Sequence, residues 1–199
     1  MQIDASNHIT IKNILTGDVW ICSGQSNMEL PMQRVQDKYP DIITTASNPN
    51  IRQFNVSTKH NFQAAQEDFA SGSWQTTTPQ SVLQFTAVGY FFAKTLYEKY
   101  QVPIGLIKSA VGGSPAEAWL SEDALKQFPA YLLKADTLKN DAYVDSIKQS
   151  DKANSDAWYS NIWQKDEGLH EEKKWFARLM HRCLCQTIYF LHVSLHPFA

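Results

Sequence analysis

The residues best suited to chemistry lie in the run Cys22-Ser23-Gly24-Gln25-Ser26-Asn27-Met28. It closes the apolar segment Asp18-Val19-Trp20-Ile21-Cys22, which is short, continuous and bounded by Gly17 and Ser23-Gly24. That pattern predicts a strand buried on both faces, the habit of central parallel strands. A serine at a strand-to-helix turn projects its hydroxyl at the carboxyl end of a sheet, where open α/β folds take ligands. Its own amide then belongs to the first helical turn, where the helix dipole favours an oxyanion. Gly24 permits the tight turn and a close approach of substrate to backbone. This is the equipment of an acyl-transfer serine. An N-cap serine beside a turn glycine has the same sequence, and spacing alone does not separate the two. A second signal is Gly112-Gly113, after a strand expected over 104–109. Two residues without side chains can turn backbone amides into a cleft, as a second oxyanion donor requires, or can simply form a βα turn.

The elements that would position these residues follow from periodicity. Residues 9–15 alternate roughly with period two, predicting a strand with one wet face. Ile51 to Val56, after Asn48-Pro49-Asn50, is a further strand candidate. Residues 72–86, rich in Ser, Thr and Gln, read as a surface loop. From Val88 to Tyr100, the residues Val88, Phe91, Phe92, Leu96 and Tyr100 recur at helical spacing and predict an amphipathic helix. Val102 to Ile107 then reads as a buried strand leading to the glycine pair. Helix, strand and glycine-rich turn in that order are the cadence of a doubly wound α/β sheet. From 121 to about 153 the chain reads as helical and charged, broken at Pro129.

Composition narrows the function classes. The chain has 199 residues, enough for one domain of ordinary size or part of a larger one. Lys plus Arg is 18 and Asp plus Glu is 20, which leaves no basic footprint for nucleic acid and no polybasic patch for lipid. No apolar run approaches the roughly 20 residues of a membrane span. The start, Met1-Gln2-Ile3-Asp4, has no basic and then apolar leader pattern, so no signal peptide is expected and the compartment stays open. Three cysteines, two of them in Cys183-Leu184-Cys185, make no disulfide framework. That pair beside His181 also falls short of a four-ligand zinc site. The last 22 residues, Arg178 to Ala199, hold two of the four Arg, three of the six His and no Lys, Asp, Glu, Gly or Asn. They read either as an ordinary hydrophobic terminal segment or as codons out of frame.

The stretch Gly17-Asp-Val-Trp-Ile-Cys-Ser-Gly-Gln-Ser-Asn-Met-Glu29 resembles the nucleophile block of the sialate O-acetylesterase family, within the SGNH hydrolase superfamily. Thr86-Ala-Val-Gly-Tyr-Phe-Phe-Ala-Lys94 and Pro103-Ile-Gly-Leu-Ile-Lys-Ser-Ala-Val-Gly-Gly-Ser-Pro-Ala-Glu-Ala-Trp119 are similar to two further blocks, in the family's order. The resemblance covers roughly residues 9 to 177. It implies a three-layer α/β/α sandwich around a parallel sheet, incomplete here, and removal of O-acetyl groups from sialic acid or other acetylated sugars. It implies no metal and no organic cofactor. Ser26 matches the nucleophile and its amide the first oxyanion donor. Gly113, or its neighbour Gly112, matches the second donor, with Gln25 and Asn27 as further oxyanion or binding residues. An acetylated sugar is the expected partner; nucleic acid and membrane are not, and the oligomeric state is open.

The resemblance also divides the chain. Residues 1–15 resemble the closing strands of a preceding β domain, and 16–165 the N-terminal part of the hydrolase domain. Residues 166–177 resemble the start of an inserted β domain, and 178–199 form the anomalous tail. A serine hydrolase needs an imidazole base and a carboxylate to orient it. The family takes both from a late Asp-x-x-His, and none of the twelve Asp residues here has a His three positions later. No late Gln-Gly-Glu-Ser-Asn block, the family's source of a further oxyanion donor, occurs either. Glu167-Gly-Leu-His170 has the spacing in the wrong place, and His196-Pro197 lacks the acid. His8 and His60 read as surface or loop histidines. These features imply an N-terminal fragment that is nearly inactive by itself. The alternatives are a non-catalytic glycan-binding remnant and an esterase that borrows its histidine from another chain.

Overall fold

The computed structural model describes residues 1–58, 61–64, 68–69, 71–163 and 165. The chain divides into two compact units, one of Met1–Ser57 with Phe69–Gly113, the other of Thr58–Asp68 with the segment from Ser114 on. The fold class is α/β.

In the first unit, β1 (Gln2–Asp4) and β2 (His8–Thr10) form a small antiparallel hairpin. All six residues are exposed, and Asn13 takes φ 57° just beyond β2. The strand expected over 9–15 therefore stops at Thr10 and has no dry face. Next come β3 (Asp18–Gly24), the single-turn helix α1 (Ser26–Glu29), α2 (Pro40–Thr44) and β4 (Asn48–Asn55). They are followed by β5 (Trp74–Thr77), α3 (Ala87–Tyr100) and β6 (Ile104–Ala110). The four-stranded sheet has the order β3-β6-β4-β5. β6 pairs parallel with β3, Asp18 opposite Ile104 through Gly24 opposite Ala110, and parallel with β4, Ile51 opposite Ile104 through Asn55 opposite Lys108. β5 joins β4 antiparallel.

Two expectations fail for tertiary reasons. Among the described residues β3 is an edge strand, with Val19 59%, Trp20 44% and Ile21 46% exposed and Cys22 buried. The central strands are β6 and β4, whose Ile104, Leu106 and Ile51 are buried. The polar stretch 72–86 is not a simple loop either. It supplies β5, a 3-10 turn over Ser81–Gln84, and the buried residues Thr77, Val82, Phe85 and Thr86. Its buried threonine side chains are satisfied internally: Thr77 Oγ1 donates to the Ile51 carbonyl at 2.8 Å and Thr86 Oγ1 to the Met28 carbonyl at 2.6 Å, while the Thr86 backbone amide donates to Gln53 Oε1 at 2.9 Å. Bonded in this way, polar groups can be buried without the desolvation cost of an unpaired donor.

α3 forms where the periodicity places it, and Phe91 and Leu96 pack half-buried against the core, but its fully buried residues are others. Its buried residues are Ala87, Gly89, Tyr90 and Ala93, while Val88 is 50% exposed and Phe92 packs edge-on against Trp20. The small residues let the helix axis come close to the sheet. A Cβ on Gly89 would lie 2.6 Å from Thr86 Cγ2, 2.8 Å from Cys22 Sγ and 3.5 Å from Leu106 Cδ1. The core joins these elements through Cys22, Met32, Ile43, Ile51, Val82, Phe85, Tyr90 and Leu106.

The second unit is helical in its described part: α4 (Glu122–Leu125), α5 (Pro129–Thr137) and α6 (Asp141–Trp158). Pro129 starts α5, where its missing N–H costs nothing. Ser121 caps α4 through the Ala124 amide, and Asn140 caps α6 through the Tyr143 amide. Leu125, Ala135, Leu138 and Val144 form its core, with Phe62 and Leu132 against it. The described helices include none long and apolar enough to cross a membrane. Residues 166–177 and the tail 178–199 lie outside the described residues.

Candidate active site

Ser26 is the first residue of α1, immediately past the carboxyl end of β3. The reversal of direction is made at Gly24, whose φ of +136° is open to glycine and rarely to other residues, and at extended Gln25. Gln25, Ser26 and Asn27 are all exposed. α1 is a single turn, so the local amides of that turn, rather than a long macrodipole, provide any positive field at Ser26.

This turn is fixed from behind. Thr86 Oγ1 donates to the Met28 carbonyl at 2.6 Å, the Ala87 amide to the Leu30 carbonyl at 2.8 Å, and the Met32 amide to the Phe85 carbonyl at 2.9 Å. The segment leading into α3 thus holds the far end of α1.

The glycine pair arrives from the neighbouring strand. The Val111 amide donates to the Gly24 carbonyl at 3.0 Å, which continues the β3–β6 ladder to the threshold of the turn. Gly112 then lies against the serine: a Cβ there would be 3.5 Å from both Cα and Cβ of Ser26. Gly113 is exposed with φ +82°. The structure therefore brings Ser26, Gly112 and Gly113 together, with Gln25 and Asn27 flanking the serine.

The two glycines are not equivalent. The Gly112 amide donates to Glu29 Oε2 at 2.6 Å, so that donor is already engaged. Glu29 closes the serine block, and its type alone assigns it no role; the signal for one is its spacing, because a residue three beyond Ser26 returns to the same side of a helical turn. Lys108, half-buried on β6, carries no such signal in the sequence. Burial lowers its ammonium from the ordinary lysine range, and the negative charge of Glu29 opposes that shift. Cys22, behind the site, has its thiol pushed up by burial and packs as a core residue.

His8 is the single histidine among the described residues; it is exposed in β2 and hydrogen-bonded to Asp4. His60, His170, His181 and His196 lie outside the described residues, as do Glu167, Cys183 and Cys185. The described residues contain no group of three His, Cys, Asp or Glu side chains that could hold a metal.

Comparison with known proteins yields one family. A family model described as carbohydrate esterase, sialic acid-specific acetylesterase, matches residues 16–179. Sialate O-acetylesterase of Rattus norvegicus is 36% identical over 124 residues, covering 59% of this chain and 23% of that protein. The protein of the same name from Homo sapiens is 36% identical over 127 residues, covering 59% and 24%. The crystal structure of a carbohydrate acetylesterase from Xanthomonas citri matches with a TM-score of 0.51 at 42% identity, covering 55% of this chain and 25% of that one. The match thus spans about a quarter of the length of these relatives.

Proposed function

The chain belongs to the sialic acid-specific acetylesterase family of carbohydrate esterases, which are carboxylic ester hydrolases, and from that premise we propose that it carries the nucleophilic half of a serine esterase acting on O-acetylated sugars, sialic acids among them. The observation that supports this reading is the seat of Ser26: the start of a helical turn, at the carboxyl end of a strand, with Gly112 packed against its Cα and Cβ.

In this reading the Ser26 hydroxyl oxygen attacks the acetyl carbonyl carbon and gives its proton to a base, while the carbonyl electron pair moves onto oxygen. The amides of Ser26 and Gly113 hold that oxyanion, because the amide of Gly112 is occupied by Glu29. The C–O bond to the sugar then breaks, the sugar oxygen takes the proton, and an acetyl ester remains on Ser26. Water attacks this ester in the same manner and releases acetate. Gln25 and Asn27, exposed on either side of Ser26, are placed to meet the sugar.

The base is the missing part, since no Asp of the sequence precedes a His by three. Loss of the base from a serine triad costs on the order of 10⁶ in turnover and leaves roughly 10³–10⁴ over water. This chain by itself is therefore expected to hydrolyse p-nitrophenyl acetate slowly, at a rate that Ser26→Ala changes little, and mixing with a C-terminal fragment that carries the late Asp-x-x-His is expected to raise the rate only when Ser26 is present. A rise on mixing that Ser26→Ala leaves intact would remove Ser26 as nucleophile. An ordinary enzymatic rate would instead show that the chain finds a base. Calorimetric binding of an O-acetylated sugar, unchanged by Ser26→Ala and without acetate release, would favour a glycan-binding role.

A further inference from the structure

We propose that Glu29 is a positioning residue whose carboxylate holds the Gly112–Gly113 turn against Ser26, committing the Gly112 amide to structure and presenting the Gly113 amide to the oxyanion. The proposal rests on the reading of Ser26 as nucleophile.

Glu29 lies on the same single helical turn as Ser26, and its Oε2 accepts the Gly112 amide at 2.6 Å across 83 residues of sequence. A hydrogen bond from a backbone amide to an ionised carboxylate is roughly twice as strong as one between neutral groups. Two anchors therefore meet at Gly112. The Val111-to-Gly24 bond ends the strand ladder one residue earlier, and Glu29 holds the first residue beyond it.

Space at this point is correspondingly small. A Cβ on Gly112 would lie 2.5 Å from Glu29 Oε2, so the carboxylate and the serine backbone enclose the glycine between them. The helical turn carrying Glu29 is itself held at Met28 by Thr86, and the residues just beyond it, Leu30 and Met32, by Ala87 and Phe85. Movement of the glycine turn away from Ser26 must break the Glu29 bond.

A carboxylate beside a developing oxyanion opposes it by like-charge repulsion. Here the charge is offset by the Gly112 amide and by Lys108, whose ammonium interacts with Glu29 from β6. What the site takes from Glu29 is an acceptor in a fixed place, and an uncharged acceptor of the same length can replace it. This separates positioning from a charge effect.

The test compares the full chain with Glu29→Ala and Glu29→Gln. Backbone amide spectra follow Gly112 and Gly113, and diisopropyl fluorophosphate labelling of Ser26, read by intact mass, gives a maximal rate and a half-saturating concentration. In Glu29→Ala the Gly112 amide resonance is expected to move upfield and exchange faster. The maximal labelling rate falls about a hundredfold, the lower end for a lost oxyanion donor, with the half-saturating concentration unchanged. Glu29→Gln restores both to near the unsubstituted values. If Glu29→Ala does not fold, Glu29→Asp, one methylene shorter, is expected to show the same losses. An unmoved Gly112 amide, an unchanged maximal rate, or a Gln variant as slow as Ala overturns the proposal. Absence of Ser26 labelling in the unsubstituted chain follows from the missing base, and the amide spectra then decide by themselves whether Glu29 holds the turn, while the nucleophile reading is tested by the rate on mixing with a C-terminal fragment.

Discussion

Gly112 and Gly113 are indistinguishable as letters, yet backbone and neighbours give them different work. Gly112 is required for its lack of volume, facing Glu29 Oε2 and the Ser26 backbone, and its φ lies outside the left-handed region. Gly113 is required for its conformation, at φ +82°. Their alanine variants should therefore fail in different ways. Gly113→Ala places a Cβ in the left-handed region at a cost of about 1–2 kcal/mol. Gly112→Ala meets chiefly the far end of a flexible glutamate, which can swing away, so its loss of stability is smaller although the Glu29 contact is lost. Urea denaturation should rank Gly113→Ala as the less stable of the two; the reverse order would mean that Gly112, not Gly113, carries the backbone strain. On the same distinction rests the proposal that Gly113, rather than Gly112, serves the oxyanion. The sequence left that choice open, because neither the Glu29 bond nor the φ values can be read from two adjacent glycines.

At the scale of elements, α3 shows how a correct period can still leave the buried face unassigned. Ranking by hydrophobicity selects Val88, Phe91, Phe92, Leu96 and Tyr100, of which Phe91 and Leu96 pack half-buried against the core, but the fully buried residues are Ala87, Gly89, Tyr90 and Ala93. Close approach to the sheet is favoured by small side chains, and their value lies in what packs against them. Gly89→Ala tests this with two opposed effects of known size. Alanine is about 1 kcal/mol better than glycine inside a helix. Overpacking a filled interior costs about 1–3 kcal/mol, and Thr86, which the new Cβ would meet at 2.6 Å, is pinned by its bond to the Met28 carbonyl. The variant is expected to be less stable in urea denaturation. A gain in stability would show that α3 can lift off the sheet freely. Because Thr86 also fixes the turn bearing Ser26, the same variant should slow labelling of Ser26.

For the molecule as a whole, the consequential feature is the exposed edge of the sheet. β3 leads into the turn that bears Ser26 and, among the described residues, pairs only with β6, leaving Val19, Trp20 and Ile21 between 44% and 59% exposed. Long apolar edge strands without a protecting charge or proline invite pairing with another chain. Light scattering should therefore show concentration-dependent association of the chain, and Ile21→Lys, a charge on that edge, should reduce it. A sharp monomer with a cooperative melt at all concentrations would contradict this. The match to relatives covers about a quarter of their length, and the family match runs to residue 179, beside the compositional change at Arg178.

By itself the sequence determined what local rules govern. The serine block and glycine pair, the helix from the late eighties to Tyr100, the strands at Ile51 and Ile104, and the break at Pro129 all depend on near neighbours. They are visible in periodicity, capping and turn chemistry, and the block resemblance led to the esterase family. Tertiary structure decided what depends on distant residues meeting. It placed β3 at the edge rather than the centre, since strand order is set by which partners arrive and not by a strand's own hydrophobicity. It buried the polar stretch before α3, since Thr77 and Thr86 find acceptors on β4 and in α1. It also joined Glu29 to Gly112 over 83 residues, a bond that exists only because β3 and β6 lie side by side and end together.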